Sequence, residues 1–461
     1  MPPATAPPLG GHALLVLLVQ ASLLLGAALL LGRLATRFRL PAVSGELLAG
    51  VLLGPTVLGR LFPGFQHWLR MSEASQAHLL DAVGQVGVIL LVGTTALEID
   101  LALVRRTRRT SLTVGAFGLL IPLGLGCAAG FAAPAALLPD DRERALFAFF
   151  IGVAMCVSAL PVIAKVLSDM RLLHRDIAQL TIAVGVVDDV TGWMLLSVVS
   201  ATAASGLTLG SVAEPLCVLV LITACALLLG RPAVRWLMAR ARSPQAVMGT
   251  ATVVIVGCAA ATQAMGMEAS FGALVGGLLA GAAGAETRKG LAPLRTVTLS
   301  VLAPLYFAEA GLRMDLSALD TWVIVLAALG ALVVATAGKF AGAMLGARVA
   351  GLDRRSGLVL GAGMNARGVI QIIVAGIGLR LGVLNTASYT IVVLVAVATS
   401  LMAPPVLRRA VLRIEVNDEE RARSRRDRDL AGGGACGEGP AARARRTRHA
   451  RGARAARGGA R

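Results

Sequence analysis

Long uninterrupted apolar runs are the feature that most limits how this chain can fold. "HALLVLLVQASLLLGAALLLG", "TSLTVGAFGLLIPLGLGCAAGFAA" and "TASYTIVVLVAVATSLMAPP" are three of them. Each reaches the ~20 residues that a helix needs to cross the hydrocarbon core of a bilayer. Helices satisfy their own backbone hydrogen bonds, so they are the element that lipid tolerates. The sequence therefore predicts an all-α polytopic membrane protein.

Thirteen such segments can be identified, and the basic residues in the loops agree with that number. The predicted spans are 12–32, 41–59, 79–98, 110–133, 145–168, 176–202, 211–230, 245–264, 268–284, 296–312, 320–346, 356–378 and 386–407. Loops on one side carry 19 Lys and Arg residues and those on the other side carry six. The positive-inside rule then places the N-terminus outside and the C-terminus in the cytoplasm.

Charge and composition divide the chain into three parts. Residues 1–11 form a short extracytoplasmic N-terminus, 12–410 the membrane domain, and 411–461 an Arg-, Ala- and Gly-rich tail. The tail lacks apolar bulk, so it is predicted to be disordered and cytoplasmic. The net charge of +18 comes largely from this tail and the cytoplasmic loops. A bilayer is therefore a better partner for it than nucleic acid.

Asp188 and Asp189 are consecutive carboxylates in the sixth predicted span. Asp188 lies twelve residues after Asp176, or roughly 18 Å along a helix, which is the middle of a bilayer. Each such Asp costs about 2.5–3.5 kcal/mol on the insertion scale. Adjacent helical side chains diverge by about 100°, so one can face a fixed partner and the other a water-filled cavity. A buried ion pair or a polar clamp between helices would be purely structural alternatives.

The lysines supply a candidate partner for the carboxylates. Of 44 Lys and Arg residues only Lys165, Lys289 and Lys339 are lysines. Lys165 is near a span end and Lys289 is in a loop. Lys339 lies deep in the eleventh span among small residues that permit close helix approach. It is therefore the attractive intramembrane partner for an Asp.

Two other spans contain residues that interrupt helices. The fifth carries Ser158 and Pro161 at its middle, and the twelfth carries Asn365, Arg367 and Gly368 within a glycine-rich stretch. Paired discontinuous helices are the best sequence pointer to a transporter binding site. Arg367 is too deep to reach the interface easily, so it either balances carbonyl ends freed by the breaks or pairs with an acid.

Several further acids lie near predicted span ends, where exposure at the membrane interface is expected. They are Glu46, Asp81, Glu98, Glu268 and Glu309.

Six ordered segments resemble the second family of monovalent cation:proton antiporters, within the sodium/hydrogen exchanger superfamily. They are "LPAVSGELLAGVLLGPTVLG", "LEIDL", "VVDDVTGW", "PLYFAEAGLRMDL", "GKFAGAMLGARVAGL" and "GMNARGVIQIIVAGIGLRLGVL". Together they cover about residues 12 to 410. "MNARG" is most similar to the branch that includes Kef-like proteins and plant cation/proton exchangers.

The resemblance implies inverted five-helix repeats with two crossed discontinuous helices, a core and a dimerisation subdomain that are interleaved in sequence, and a homodimer. It also implies that Lys339 pairs with Asp188, that Asp189 carries the ion and the proton, and that Ser158 lies near them. Pro161, Asn365, Arg367 and Gly368 would support the broken helices. The chain departs from the family pattern at Gln371, where many members have Glu, and at Glu268, where His is frequent.

The expected function is antiport of Na⁺ or K⁺ against H⁺ across the plasma membrane by alternating access. The transported cation would bind at Asp189 and Asp188 in competition with a proton. No cofactor, nucleotide-binding domain or enzymatic activity is expected. The alternatives are a proton-independent cation channel and, remotely, an intramembrane aspartyl protease, whose chemistry requires Asp residues on separate helices.

Overall fold

The computed structural model is built of helices. It describes residues 11–38, 40–64, 74–97, 107–139, 144–159, 163, 167, 170, 172, 175–205, 217–218, 221–222, 224–284, 287 and 290–411. Within these ranges no residue lies in a β-strand. The predicted all-α class is therefore confirmed. Pro161, Lys165, Lys289, Glu98 and the tail after residue 411 lie outside the described residues.

The helices are numbered here in chain order. The first eight are α1 (Gly11–Arg37), α2 (Ala42–Leu53), α3 (Leu58–Leu61), α4 (Ala74–Ala96), α5 (Arg108–Phe131), α6 (Arg144–Cys156), α7 (Asp176–Ser205) and α8 (Arg231–Arg240). The others are α9 (Pro244–Ala264), α10 (Ala269–Gly281), α11 (Ala292–Val297), α12 (Ala303–Leu312), α13 (Trp322–Val349), α14 (Arg354–Met364), α15 (Gly368–Arg380) and α16 (Thr386–Val411).

Local sequence accounts for several helix boundaries. Helix α9 begins where Ser243 Oγ accepts the Ala246 N–H at 3.2 Å, and α14 begins where Asp353 Oδ1 accepts the Ser356 N–H at 3.0 Å. These are N-terminal caps that satisfy otherwise unpaired donors. A π-helical segment, Thr298–Leu302, joins α11 to α12, so the two run on as one helix.

Eight of the described helical segments are long and apolar enough to cross a membrane. They are Leu14–Arg37, Ala42–Leu61, Leu79–Ala96, Arg108–Phe131, Asp176–Ala203, Pro244–Ala264, Trp322–Val349 and Thr386–Val411. Three shorter apolar helices are Arg144–Cys156, Ala269–Gly281 and Ile370–Arg380. Each of these segments overlaps a predicted span, but the count of thirteen is not confirmed.

The outer surface of the helices is strongly apolar. Leu30 on α1 is 69% exposed and Val333 on α13 is 65% exposed, and both belong to rows of large exposed hydrophobic side chains. Apolar surface of this extent is incompatible with water. It is the surface expected of helices that face lipid.

The helices pack in two groups. Helices α5–α7 and α13–α16 form one group, called the broken-helix bundle because it contains both helix interruptions; α1–α4 and α8–α12 form the flanking bundle. Each group draws on two separate stretches of the chain, so the bundles are interleaved in sequence. Tyr389 of α16 donates a hydrogen bond from its hydroxyl to the Ala310 carbonyl of α12 at 2.8 Å, which links them.

Three glycines on one face of α13 allow this helix to lie directly against α5. A Cβ atom on Gly338 would lie 3.0 Å from Pro122 Cα, one on Gly342 would lie 2.5 Å from the Phe117 carbonyl oxygen, and one on Gly346 would lie 2.8 Å from Val114 Cα. Small residues spaced by four are how membrane helices bring their backbones together. Because Lys339 directly follows Gly338, the same contact sets the position of Lys339 along α5.

We expect Gly342→Ala to destabilise the protein by about 1–3 kcal/mol, because the added methyl group has no room and forces α13 away from α5. The melting midpoint of the purified protein in detergent measures the effect. Gly330→Ala is the matched control, since it lies on the same helix and a Cβ atom there meets nothing within 4 Å. A midpoint for Gly342→Ala equal to that of Gly330→Ala would show that the contact is not tight.

Candidate functional site

The two helix interruptions of the broken-helix bundle meet each other. Helix α6 ends at Cys156, and the chain goes on as non-helical backbone through Ala159. The second interruption lies between the end of α14 at Met364 and the start of α15 at Gly368. The Ala159 N–H donates to the Ala366 carbonyl at 2.9 Å. The backbone groups freed by one break therefore partly satisfy those freed by the other, and we call this place the crossing.

Asp188 lies at the crossing and makes two short contacts through one oxygen. Its Oδ2 accepts a hydrogen bond from Lys339 Nζ at 2.7 Å and lies 2.7 Å from Ser158 Oγ. Both charged side chains of this ion pair are 0% exposed. Charge-assisted hydrogen bonds of this kind are short and strong. The pair joins α7 to α13 through the middle of the bundle.

Ser158 has two acceptors for one hydrogen. Its Oγ lies 2.7 Å from Asp188 Oδ2 and 2.8 Å from the Met364 carbonyl oxygen. A hydroxyl donates only one hydrogen, so Ser158 can donate to one of these oxygens at a time. Any event that neutralises Asp188 would favour donation to Met364. The serine thus connects the state of the carboxylate to the end of α14.

The second carboxylate of the pair is also buried. Asp189 is 4% exposed, and its side chain leaves α7 about 100° around the helix from Asp188. The other oxygen of Asp188, Oδ1, is buried without a protein hydrogen bond among the described residues. Two acidic side chains with different surroundings therefore occupy the same depth. Asp188 is paired with Lys339, and its second oxygen, Oδ1, remains available to another ligand.

Arg367 stabilises the crossing through backbone carbonyls. Its Nη1 donates to the Ala154 carbonyl in the last turn of α6 at 3.3 Å, and its Nη2 donates to the Ala335 carbonyl of α13 at 2.6 Å. The side chain is 0% exposed. Of the two roles considered from the sequence, these contacts fit the balancing of carbonyl ends. Arg367 therefore links the broken helix α6 to α13.

Asn365 and Gly368 form the turn between α14 and α15. Asn365 caps α14, with its backbone N–H donating to the Gly361 carbonyl at 3.0 Å, while its Oδ1 is buried without a hydrogen bond among the described residues. Gly368 has φ +37°, a conformation that favours glycine, and its N–H donates to Ser400 Oγ at 2.9 Å. These contacts hold the start of α15 against α16.

Gln371, which departs from the family pattern, lies one turn into α15. It is 0% exposed, and neither Oε1 nor Nε2 has a hydrogen bond among the described residues. Its position gives a neutral amide where an acid would add a further negative charge near the crossing.

Of the acids expected at the interface, Glu46 and Glu309 are buried, so the expectation was wrong for these two. Glu309 accepts a hydrogen bond from Arg313 at 2.6 Å, and Arg313 also donates to Asp81 at 2.7 Å, which ties α12 to α4. Gly84 leaves the space that the Glu309 carboxylate fills. Position along a span gives depth but not the direction in which a side chain leaves the helix. This cluster was therefore missed.

Chemically, the crossing combines hard oxygen atoms with acidic and basic side chains. Asp188, Ser158 and the Met364 carbonyl converge within hydrogen-bond distances, Asp189 is adjacent in sequence, and Lys339 supplies one positive charge. Carboxylate, hydroxyl and carbonyl oxygens suit hard cations, and a carboxylate also accepts a proton. The arrangement can therefore bind either species at one place inside the membrane.

Comparison with known proteins identifies the class to which this fold and site belong. Residues 23–413 match the family described as "Sodium/hydrogen exchanger, transmembrane". The chain belongs to this family, and its long apolar helices agree with a multi-pass membrane protein. The resemblance drawn from the six sequence segments is confirmed.

Three relatives illustrate the range of similarity. Cation/H(+) antiporter 20 of Arabidopsis thaliana is 30% identical over 85% of this chain and 48% of its own length. Na(+)/H(+) antiporter NhaS4 of Synechocystis is 28% identical over 86% of this chain and 97% of its own. K(+)/H(+) antiporter 1 of Saccharomyces cerevisiae is 28% identical over 85% of this chain and 46% of its own. The chain spans about half the length of the plant and yeast relatives.

A solved structure shares the fold. The sodium proton antiporter MjNhaP1 of Methanocaldococcus jannaschii superposes with a TM-score of 0.63, covering 87% of this chain and 97% of that one. Sequence identity is 16%, so this likeness concerns the fold alone.

Proposed function

We propose that this chain exchanges a monovalent cation, Na⁺ or K⁺, for protons across the membrane. The observation that carries the proposal is the buried Asp188–Lys339 pair beside Asp189 at the crossing of two interrupted helices. Buried ionisable residues inside a membrane are costly and mark ion or proton pathways. Relatives named as cation/H(+), Na(+)/H(+) and K(+)/H(+) antiporters support the same assignment.

In the proposed mechanism the cation and the proton compete for Asp189. Lys339 neutralises Asp188, and an ionised Asp189 adds a further negative charge to the site. A proton or a dehydrated cation removes that charge. Ser158 and the Met364 carbonyl supply further oxygens, and Ser158 donates to Asp188 when the carboxylate is charged. Asn365, Arg367 and Gly368 keep the two interruptions together, and Pro161 is proposed from the sequence alone to interrupt the fifth span.

Alternating access follows if the broken-helix bundle moves against the flanking bundle only when Asp189 is neutralised. Moving the site with an ionised Asp189 through the membrane would carry the desolvation cost of a buried charge. The occupied site avoids that cost. We further propose that the flanking bundle forms a homodimer, and that the protein lies in the plasma membrane with its N-terminus outside and its C-terminus in the cytoplasm.

The proposal predicts cation-driven proton movement by the full chain in proteoliposomes. A pH-sensitive dye trapped with an acid interior should recover its fluorescence when Na⁺, K⁺, Li⁺ or Rb⁺ is added outside, with a rate that saturates with the preferred ion. The order of rates over the four ions gives the selectivity. Cation flux of equal size with no proton movement would contradict antiport and indicate a channel.

A further inference from the structure

The broken-helix bundle contains an elongated apolar cavity away from the crossing. Its volume is about 380 Å³, and it lies between α5, α6, α13 and α16. On α13 its wall is a single stripe made of Val323, Leu326, Ala327, Gly330, Ala331 and Val334. These positions recur every three or four residues, so they share one helix face. The stripe runs from Val323 to Val334, twelve residues of helix, or roughly 16 Å from end to end.

The two ends of the cavity lie at different depths in the membrane. Val323 follows Trp322, the first residue of α13, which is 72% exposed. Exposed tryptophans at helix ends sit at the level of the lipid headgroups. The other end, at Met155 and Val334, is deep in the bundle. Val323 and Leu326 are 56% and 49% exposed, so the cavity is open to the surroundings along its upper part.

A positive charge lies at the rim near the headgroup end. Arg144, the first residue of α6, donates from Nη1 to the Phe131 and Ala133 carbonyls, both at 2.8 Å. Ala133 itself lines the cavity. Both acceptors are neutral, so these bonds position the guanidinium without neutralising it. The cavity thus combines an apolar slot, about half as long as the ~30 Å hydrocarbon core is thick, with a positive charge at its rim.

We propose that this cavity binds one anionic phospholipid, with an acyl chain along the α13 stripe and its phosphate at Arg144. A phosphate complements a guanidinium through bidentate hydrogen bonds. The bilayer supplies the ligand at high concentration, and a cavity of this volume lies within the ~300–1,000 Å³ range of small-molecule sites.

The deep end of the cavity lies beside the two segments that Arg367 joins at the crossing. Met155 and Val334 are each next in sequence to a residue whose carbonyl accepts a hydrogen bond from Arg367, namely Ala154 and Ala335. A bound acyl chain would therefore pack against both segments that Arg367 joins. The lipid should stabilise the broken-helix bundle, and this expectation does not depend on the proposed transport activity.

The test is lipid binding to the purified full chain in detergent, measured by the melting midpoint and by native mass spectrometry. Dioleoyl phosphatidylglycerol should raise the midpoint saturably and remain bound as one lipid per chain. Dioleoyl phosphatidylcholine should need about tenfold or more lipid for the same shift. Glycerol phosphate alone should have no effect. Equal responses to the two lipids, or a full response to glycerol phosphate, would overturn the proposal.

Two variants locate the site. Gly330→Leu places a side chain in the cavity where a Cβ atom meets nothing within 4 Å, so it should fold and weaken phosphatidylglycerol binding about tenfold or more. Gly257→Leu, at an equally open position on α9, is the control and should bind as wild type. Arg144→Gln should remove the preference for the anionic lipid, and Arg144→Lys should retain part of it. Wild-type phosphatidylglycerol binding by Gly330→Leu and Arg144→Gln would place the lipid elsewhere and overturn the assignment.

Discussion

Asp189→Asn is expected to reduce cation/proton exchange to the level of protein-free liposomes. The amide has nearly the same shape as the carboxylate but takes up no proton and carries no negative charge. In the proposed mechanism it therefore holds the site permanently neutral. Asp188 is not expected to take over this role, because its charge is paired with that of Lys339. Dye-based exchange in proteoliposomes measures the loss.

The folded state of Asp189→Asn should be preserved, and its melting midpoint should be close to that of the wild type. Asp320→Asn is the matched control, because Asp320 is an exposed carboxylate in the turn before α13 and should exchange normally. Exchange by purified Asp189→Asn at the wild-type rate would remove Asp189 from the carrier role.

Lys339→Met is expected to lower the free energy of unfolding by about 3–5 kcal/mol, the usual cost of leaving one member of a buried ion pair without its partner. Lys339 and Asp188 are both 0% exposed and 2.7 Å apart, so the remaining carboxylate would stay buried without its ion-pair partner. The double variant Asp188→Asn/Lys339→Met removes both charges and should recover much of the lost stability. Melting midpoints of the purified proteins give the comparison.

The control for charge at this position is Lys339→Arg, which keeps the cation and should be less destabilised than Lys339→Met. Midpoints for Asp188→Asn and Lys339→Met that simply add in the double variant would mean that the two side chains are not energetically coupled. That outcome would contradict the ion pair as a stabilising contact.

Much of the site could be predicted from the sequence, because a charged residue inside a membrane span is costly and therefore indicates a functional position. The Asp pair stood out since charged residues inside apolar spans are costly, and Lys339 stood out among many arginines. The structure places Lys339 against Asp188 and brings the two helix interruptions together. Their approach depends on close helix packing, for which the sequence offered only glycine spacing on α13.

Other features depend on directions around helices that the chain order does not encode. Arg367 contacts two carbonyls on different helices, and those partners are apolar alanines with no sequence signal. Glu309 is expected near a span end, but α12 packs between other helices and buries this acid, where Arg313 pairs with both Glu309 and Asp81. The apolar cavity arises from the spacing of four helices, so the hydropathy of the sequence does not predict it.

The measurement that tests the central claim most directly is the pH dependence of cation-driven exchange by the full chain in proteoliposomes. If one cation and one proton compete for Asp189, the apparent KM for the cation should rise in proportion to proton concentration once the site is protonated. The maximal rate at saturating cation should stay constant over the same range. An unchanged KM with a falling maximal rate would mean that the proton acts at a separate site, and would contradict exchange by competition.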